Sequence, residues 1–167
     1  MSKVVYLDLD GVLFDLHAAL VAHTGIDFPM GDRNKLFKSY LPDFVDHNGF
    51  ATIPVLENAH ELVVGLVGMD CHLAILTSGG SFHKSRGEVA RQKKECVDNN
   101  FPALESVPFC ITSSGASKSV LANKKSFLID DHAPNIEKFV NAGGRGVVYR
   151  PAEYRAVLAQ VRSFCND

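Results

Sequence analysis

Five short runs of apolar residues recur along the chain, without a regular alternation of apolar and polar positions. They lie at 4–7, 73–76, 107–111, 127–129 and 146–149. A continuous apolar run of this length is typical of a β-strand covered on both faces, as in a parallel sheet. The pattern therefore predicts five buried strands.

Helical patterns separate these runs, at about 59–67, 86–100, a short stretch from Lys118, 135–142 and 152–164. Pro134 and Pro151 stand where the first turn of a helix tolerates proline, and Gly143-Gly144 provides a stop. Strands that alternate with helices favour right-handed crossover connections. The expected fold class is α/β, with a doubly wound, parallel, five-stranded Rossmann-like sheet.

The stretch 16–53 breaks this alternation. It contains short helical patterns, a turn signal at Thr24-Gly25 and several aromatic residues, including Phe50. We predict that 16–53 is a small helical cap insertion above the sheet. Residues 1–15 and 54–167 then form the Rossmann-like core.

Composition narrows the class of protein further. The 167 residues fit one domain, and 46% are hydrophobic, so a compact globular protein is expected. The net charge of -2 gives no strong signal for nucleic acid binding. No apolar run approaches the roughly 18 residues that span a bilayer, and the first residues lack a signal-peptide pattern. We expect a soluble, cytoplasmic protein with reduced cysteines; the sequence does not predict its oligomeric state.

Polar residues follow three of the predicted strands, and the carboxyl ends of parallel strands are where such sheets bind ligands. These endings are Asp8-Leu9-Asp10-Gly11, Thr77-Ser78-Gly79-Gly80 and Asp130-Asp131. Together they bring carboxylates and hydroxyls into one crevice, where the negative charges repel unless a cation is bound. Oxygen ligands favour magnesium, so we predict a Mg2+ site at Asp8, Asp10, Asp130 and Asp131.

Asp8 and Asp10 lie two positions apart, so both side chains can face one substrate. That spacing suits Asp8 as a nucleophile toward phosphorus and Asp10 as the general acid and base. Thr77, Ser78 and Gly79 offer a hydroxyl and backbone donors for phosphate oxygens. The alternatives are an ordinary acidic turn and an ordinary Ser/Gly turn.

Two lysines are candidates for binding the phosphate. Lys93 falls near the centre of an apolar stripe on the predicted helix at 86–100, where a buried ammonium needs an anionic partner. Lys118 precedes the fourth strand and is the second candidate. The alternative for either is a side chain whose ammonium reaches solvent.

The motifs Asp8-Leu9-Asp10-Gly11-Val12-Leu13, Leu76-Thr77-Ser78 and Leu128-Ile129-Asp130-Asp131 resemble, in order, those of the haloacid dehalogenase-type phosphohydrolases. The resemblance covers nearly the whole chain, with 16–53 similar to the family's small cap. It implies that Asp8 is the nucleophile, Asp10 the acid and base, and Thr77 a phosphate ligand. It also implies that Lys93 or Lys118 is the stabilising lysine.

The same resemblance implies how the metal is held. Mg2+ would be bound by the Asp8 carboxylate, the main-chain carbonyl of Asp10 and Asp131. Asp130 would orient a lysine or a metal-bound water.

Within that superfamily, Lys93-Lys94-Glu95-Cys96-Val97 followed by Phe101 resembles a segment of the 5'(3')-deoxyribonucleotidases. This likeness implies that Lys93 is catalytic and that Lys118 binds phosphate. Gly49-Phe50 resembles the aromatic of their cap, which implies that Phe50 lies over a base. We therefore expect a phosphatase of small-molecule phosphomonoesters, with nucleoside monophosphates as substrates. The alternatives are a nucleic-acid end phosphatase, a sugar-phosphate phosphatase and a catalytically silent phosphate-binding module.

Overall fold

A computed structural model describes residues 3–28, 35–80 and 86–167 of the chain. Each of the five predicted apolar runs becomes a strand. The strands are β1 (Val4–Leu7), β2 (His72–Ser78), β3 (Phe109–Thr112), β4 (Ser126–Asp130) and β5 (Arg145–Val148). All are parallel and lie in the order β3-β2-β1-β4-β5, which is a doubly wound, Rossmann-like arrangement.

Six α-helices are described: α1 (Leu16–Thr24), α2 (Lys35–Asp46), α3 (Ala59–Val67), α4 (Arg86–Asn100), α5 (Ala133–Asn141) and α6 (Tyr154–Asn166). The bounds of α3 and α4 agree with the prediction. The short helix expected near Lys118 is a 3-10 helix at Gly115–Leu121. In the described part of the chain, no helix is long and apolar enough to cross a membrane.

The two faces of the sheet are buried by different helices. Phe127 and Ile129 of β4 join a large apolar cluster that includes side chains of α3, α4 and α6. Leu128, between them, points to the opposite face and packs with Ile136 and Phe139 of α5. Because both faces are covered, neighbouring positions of a strand are equally apolar, which explains the absence of alternation in the sequence.

The described part of the stretch 16–53 contains α1, α2 and a 3-10 helix at Gly49–Ala51, and no strand. Asp15 caps α1 by accepting a hydrogen bond from the backbone N–H of Ala18, at 2.9 Å. Phe28, Phe44 and Phe50 are buried in the same apolar cluster as α3, α4 and α6. The stretch therefore packs as a continuation of the main core, and its division into a separate cap stays a prediction.

Candidate active site

Three strand ends meet at the centre of the sheet. β1 lies between β2 and β4, so Leu7 has Ile75 on one side and Ile129 on the other. Asp8 follows β1 directly, and its backbone N–H donates to the carbonyl of Ile129 at 3.0 Å. Oxygens of Asp8, Asp130 and Asp131 consequently lie within 4.8 Å of one another.

Lys118 neutralises part of this acidic cluster from below the surface. Its Nζ lies 2.8 Å from Asp8 Oδ2 and 2.6 Å from Asp130 Oδ2, and the side chain is 1% exposed. Burial opposes the charge of Lys118, but the two carboxylates hold its pKa above the ordinary value. The lysine is therefore a permanent cation between two acids.

The two acids respond differently to this environment. Burial acts to raise the pKa of Asp8, but Lys118 and, to a smaller extent, Lys93 bring it below the ordinary value. For Asp130, burial and the charge of Asp8 keep the pKa above the ordinary value in spite of Lys118. The arrangement thus favours an ionised Asp8.

Asp130 is further engaged by the chain that follows it. Asn135 Nδ2 lies 3.1 Å from each Asp130 oxygen, and the backbone N–H of His132 donates to Oδ1 at 2.9 Å. Together with the Lys118 contact, these bonds occupy both oxygens of the carboxylate. Asp130 consequently holds Lys118 in place from a fixed position.

Lys93 makes a second cationic centre at the other side of Asp8. Its Nζ donates to Asp10 Oδ2 at 2.6 Å, to Thr77 Oγ1 at 3.0 Å and to the carbonyl of Ser78 at 2.9 Å. The side chain is 2% exposed. Lys93 therefore points inward, as the sequence predicts, and Asp10 is its anionic partner.

Two carboxylate oxygens of the site are buried without a hydrogen-bond partner among the described residues. They are Asp8 Oδ1 and Asp10 Oδ1. Buried acceptors of this kind are costly unless something binds them. They provide lone pairs for a cation or for the proton of a substrate.

Asp131 completes the acidic cluster because Gly11 leaves room for it. A Cβ at Gly11 would lie 2.3 Å from Asp131 Oδ2, and Gly11 has a φ of +78°. The glycine thus supplies both a left-handed turn after Asp10 and the space that the Asp131 carboxylate occupies.

The donor set fits a divalent cation. Four carboxylates and two ammonium groups give the site an excess of two negative charges. The carboxylates are those of Asp8, Asp10, Asp130 and Asp131, and the ammonium groups are those of Lys93 and Lys118. Asp8, Asp130 and Asp131 place carboxylate oxygens within 4.8 Å of one another, and carboxylate oxygens are the ligands that a hard cation prefers.

Solved structures of other proteins share the architecture of this chain. A predicted phosphatase from Clostridium acetobutylicum is 15% identical, with a TM-score of 0.56 over 95% of this chain and 99% of that one. A HAD-superfamily hydrolase from Ehrlichia chaffeensis is 13% identical, with a TM-score of 0.52 over 96% and 98%. This chain has the fold of the haloacid dehalogenase-type hydrolases.

The same fold carries more than one reaction. L-2-haloacid dehalogenase from Xanthobacter autotrophicus is 11% identical, with a TM-score of 0.53 over 94% of this chain and 88% of that one. The sequence matches no protein-family model and no curated protein. The chemistry of this chain must therefore be inferred from its own site residues.

The loop after β2 uses its polar groups locally. The backbone N–H of Gly79 donates to the carbonyl of Thr112 at 2.8 Å, and that of Gly80 donates to Ser78 Oγ at 3.2 Å. Thr77 Oγ1 accepts from Lys93. The phosphate-binding roles of Thr77, Ser78 and Gly79 stay predictions.

Phe50 lies over Lys93, with the Nζ 5.0 Å from the ring centroid. The ring is 3% exposed and packs edge-on against Phe44, at 5.2 Å between centroids. The ring of Phe50 therefore covers the Lys93 ammonium. Its contact with a base stays a prediction.

Two polar residues that the sequence did not single out also build the site. Asn135 holds Asp130, and Gln92 lies next to Lys93 on α4 with no exposed surface. Gln92 Oε1 accepts from the backbone N–H of Phe50 at 3.1 Å, and its Nε2 donates to the carbonyl of Val45 at 2.8 Å. Gln92 lies three positions after Val89, on the apolar stripe, and this spacing is the signal that could have identified it.

Proposed function

We propose that this chain is a Mg2+-dependent phosphomonoesterase of the haloacid dehalogenase superfamily that forms an aspartyl-phosphate on Asp8. The observation that carries the proposal is the buried Asp8 carboxylate. One of its oxygens pairs with Lys118, and the other is unpaired among the described residues. A lowered pKa keeps this carboxylate ionised and ready to attack.

In the proposed first half-reaction, an Asp8 oxygen attacks phosphorus as the bond to the leaving oxygen breaks. In the substrate complex, where Lys93 binds the phosphoryl oxygens, Asp10 is protonated and gives its proton to the leaving oxygen, so that an alcohol departs. Without substrate, Lys93 pairs with Asp10 Oδ2, while Asp10 Oδ1 has no hydrogen-bond partner among the described residues and is placed to carry the proton. This arrangement supports Asp10 as the general acid.

In the second half-reaction, water replaces the leaving group. Asp10, now ionised, removes a proton from the water as its oxygen attacks phosphorus, and the bond to Asp8 breaks. Phosphate leaves, Asp8 is again a carboxylate, and Asp10 is again protonated. The protons and charges of the cycle therefore balance.

The two lysines are proposed to have different roles. Lys118 lies between Asp8 and Asp130, so it orients the nucleophile. Lys93 lies between Asp10 and Thr77, so it and the Thr77 hydroxyl are placed to bind phosphoryl oxygens. Developing charge on those oxygens is then stabilised by a fixed cation in a water-poor site.

Asp8, Asp131 and the main-chain carbonyl of Asp10 would hold Mg2+. When bound, the ion supplies positive charge that lets a phosphate approach four carboxylates. Asp130 is proposed to orient Lys118 rather than to bind the ion, because its oxygens already accept three kinds of donor.

The proposed substrates are nucleoside monophosphates. Two observations support them: the resemblance of the sequence to the 5'(3')-deoxyribonucleotidases, and the aromatic ring of Phe50 over Lys93. The burial of Phe50 favours a second candidate, a sugar phosphate, since a ring that is 3% exposed has little surface for stacking. A panel of phosphomonoesters, with a 3'-phosphorylated oligonucleotide and a 2-haloacid included, separates these substrates. Turnover of the haloacid alone would reject the phosphatase assignment.

The central test is Asp8→Asn, with Asp70→Asn as its control. Asp70 is exposed and precedes β2, at the opposite edge of the sheet. We expect phosphate release with Mg2+ from the wild type and from Asp70→Asn, and none from Asp8→Asn. Full turnover in Asp8→Asn would remove Asp8 as the nucleophile.

A further inference from the structure

A second group of metal-ligating side chains lies in the 16–53 region and shares no residue with the candidate active site. His23 belongs to the last turn of α1, Asp43 to α2, and His47 follows α2 directly. One ligand atom from each lies within 4.8 Å of the other two. Two helices therefore contribute an imidazole, a carboxylate and a second imidazole to one place.

The distances are close to those of a bound ion. His23 Nε2 lies 2.7 Å from Asp43 Oδ2, and His47 Nδ1 lies 3.5 Å from Asp43 Oδ1. Ligand atoms around a tetrahedral zinc ion are about 3.3 Å apart, as follows from metal–ligand distances of about 2.0–2.1 Å. The 2.7 Å contact is a hydrogen bond that would lengthen on metal binding, whereas the 3.5 Å separation is already near that spacing.

The surroundings hold one ligand and leave the others accessible. The ring of His23 packs edge-on against the buried Phe44, at 5.4 Å and 79°, which fixes its direction. Asp43 and His47 are 60% and 64% exposed, so an ion can enter and can take water as a fourth ligand. His47 Nδ1 lies 2.8 Å from the main-chain oxygen of Asp43, a contact that metal binding through this nitrogen would replace.

We propose that His23, Asp43 and His47 bind a divalent transition-metal ion, and that the ion ties α1 to α2. Imidazole nitrogens favour transition metals such as zinc over magnesium, so zinc is the test ion for this donor set. The site would accept zinc while Mg2+ is present at the carboxylates of the active site. The cross-link would stabilise α1 and α2, and Phe44 of α2 packs against Phe50, the ring that lies over Lys93.

The affinity test uses the full chain, freed of metal by a chelator and titrated with zinc in excess Mg2+ by calorimetry. We expect one zinc equivalent in the wild type, and at least about tenfold weaker binding in both His23→Ala and His47→Ala. His72→Ala is the matched control, because His72 is an exposed histidine at the start of β2. Its zinc affinity should equal that of the wild type.

A second readout locates the ion without reference to activity. The ring nitrogens of His23 and His47 should shift on zinc addition in long-range 1H–15N spectra, while those of His60 and His72 should not. The midpoint of thermal unfolding should rise by about 5 °C at a hundredfold excess of zinc over its dissociation constant. At the same zinc concentration the rise should be at most about half as large in His47→Ala, whose exposed side chain can be removed without unfolding the protein.

Two results would overturn the proposal. One is the absence of zinc binding to the wild type in excess Mg2+. The other is zinc binding of equal affinity in the wild type and both histidine variants, which would assign the ion to another site. If His23→Ala fails to fold, Asp43→Asn takes its place, since an amide keeps the size of the carboxylate but is a poor zinc ligand.

Discussion

Asp8 Oδ2 and Lys118 Nζ lie 2.8 Å apart, and both side chains are almost completely removed from solvent. Asp8 follows the central strand, whereas Lys118 comes from a 3-10 helix that packs against α5. The pair therefore links the proposed nucleophile to a part of the fold far from it in sequence. Its removal should affect both folding and chemistry.

Lys118→Met should reduce turnover at least about a hundredfold, as the loss of a fixed charge-stabilising donor does in other enzymes. It leaves Asp8 and Asp130 as buried acids without this cation, so the free energy of unfolding should fall by about 3–5 kcal/mol. The pKa of Asp8 should rise, which moves the acid limb of kcat/KM to higher pH. Steady-state kinetics across pH and urea unfolding measure these changes.

Lys124→Met is the control for this variant, because Lys124 is exposed. It should leave activity and stability unchanged. Lys118→Arg keeps the charge and should recover part of the stability, even if the larger guanidinium lowers turnover. Wild-type kinetics in Lys118→Met would contradict the role given to this lysine.

Gly11→Ala should weaken Mg2+ activation at least about tenfold, because the added Cβ would lie 2.3 Å from Asp131 Oδ2 and displace that carboxylate. Gly25→Ala provides a matched control. Gly25 has a similar φ of +70° but no neighbour within 4 Å of its Cβ position.

Both alanine variants carry the strain of a left-handed residue, about 1–2 kcal/mol, and the clash with Asp131 should lower the unfolding midpoint of Gly11→Ala further. Only Gly11→Ala should change the Mg2+ concentration for half-maximal activity. An equal Mg2+ dependence in the two variants would show that Asp131 does not bind the ion.

Asn135→Ala should lower the free energy of unfolding by about 1–3 kcal/mol, because it removes a donor to both oxygens of the buried Asp130. Turnover should fall as well, since Asp130 then holds Lys118 less firmly. Asn141→Ala, at the exposed end of the same helix, should stay within about 0.5 kcal/mol of the wild type. Equal stability of the two variants would contradict the role of the Asn135 amide.

Cys96 should make stability depend on alkaline pH. Burial raises the pKa of its thiol to about 11, above the ordinary 9.0, and the thiol donates to the carbonyl of Ile53 at 3.7 Å. A raised thiol pKa means that the folded state keeps a proton that the unfolded state has lost. Its contribution is complete below pH 9.0 and declines as the pH rises toward 11.

The measurement is the difference in free energy of unfolding between the wild type and Cys96→Ala, from urea curves at several pH values. We expect this difference to be constant up to pH 9.0 and then to decrease. A difference that grows with pH would reverse the assignment. Alkylation of Cys96 at pH 8 should also be slow until the protein unfolds.

The sequence predicted the strands and the meeting of Asp8, Thr77 and Asp130, because parallel strands place their carboxyl ends at one edge. It also predicted that Lys93 faces inward, since apolar residues surround it on the helix. The first inference depends on the parallel arrangement of several strands, and the second on the periodicity of a single helix. The order β3-β2-β1-β4-β5 of the parallel strands confirms the predicted Rossmann-like fold.

The roles of Lys93 and Lys118 were left open, and Asn135 and Gln92 were missed, for a common reason. Each makes its decisive contacts with a residue from another part of the chain, such as Lys118 with Asp8 or Gln92 with Phe50. Hydrophobic patterning records whether a side chain faces the core, but it does not record which polar partner it meets there. Those partners follow from how the loops and the 16–53 region pack.

Two adjacent residues of α4, Gln92 and Lys93, make buried hydrogen bonds to different parts of the chain. Lys93 bonds Asp10, while Gln92 bonds the backbone at Val45 and Phe50. A movement of Phe50 away from Lys93 would break the hydrogen bonds of the Gln92 side chain. It would also displace α4, the helix that positions the Lys93 ammonium. Opening the crevice at Phe50 is thus coupled to the position of the Lys93 charge, because Gln92 and Lys93 are adjacent residues of α4.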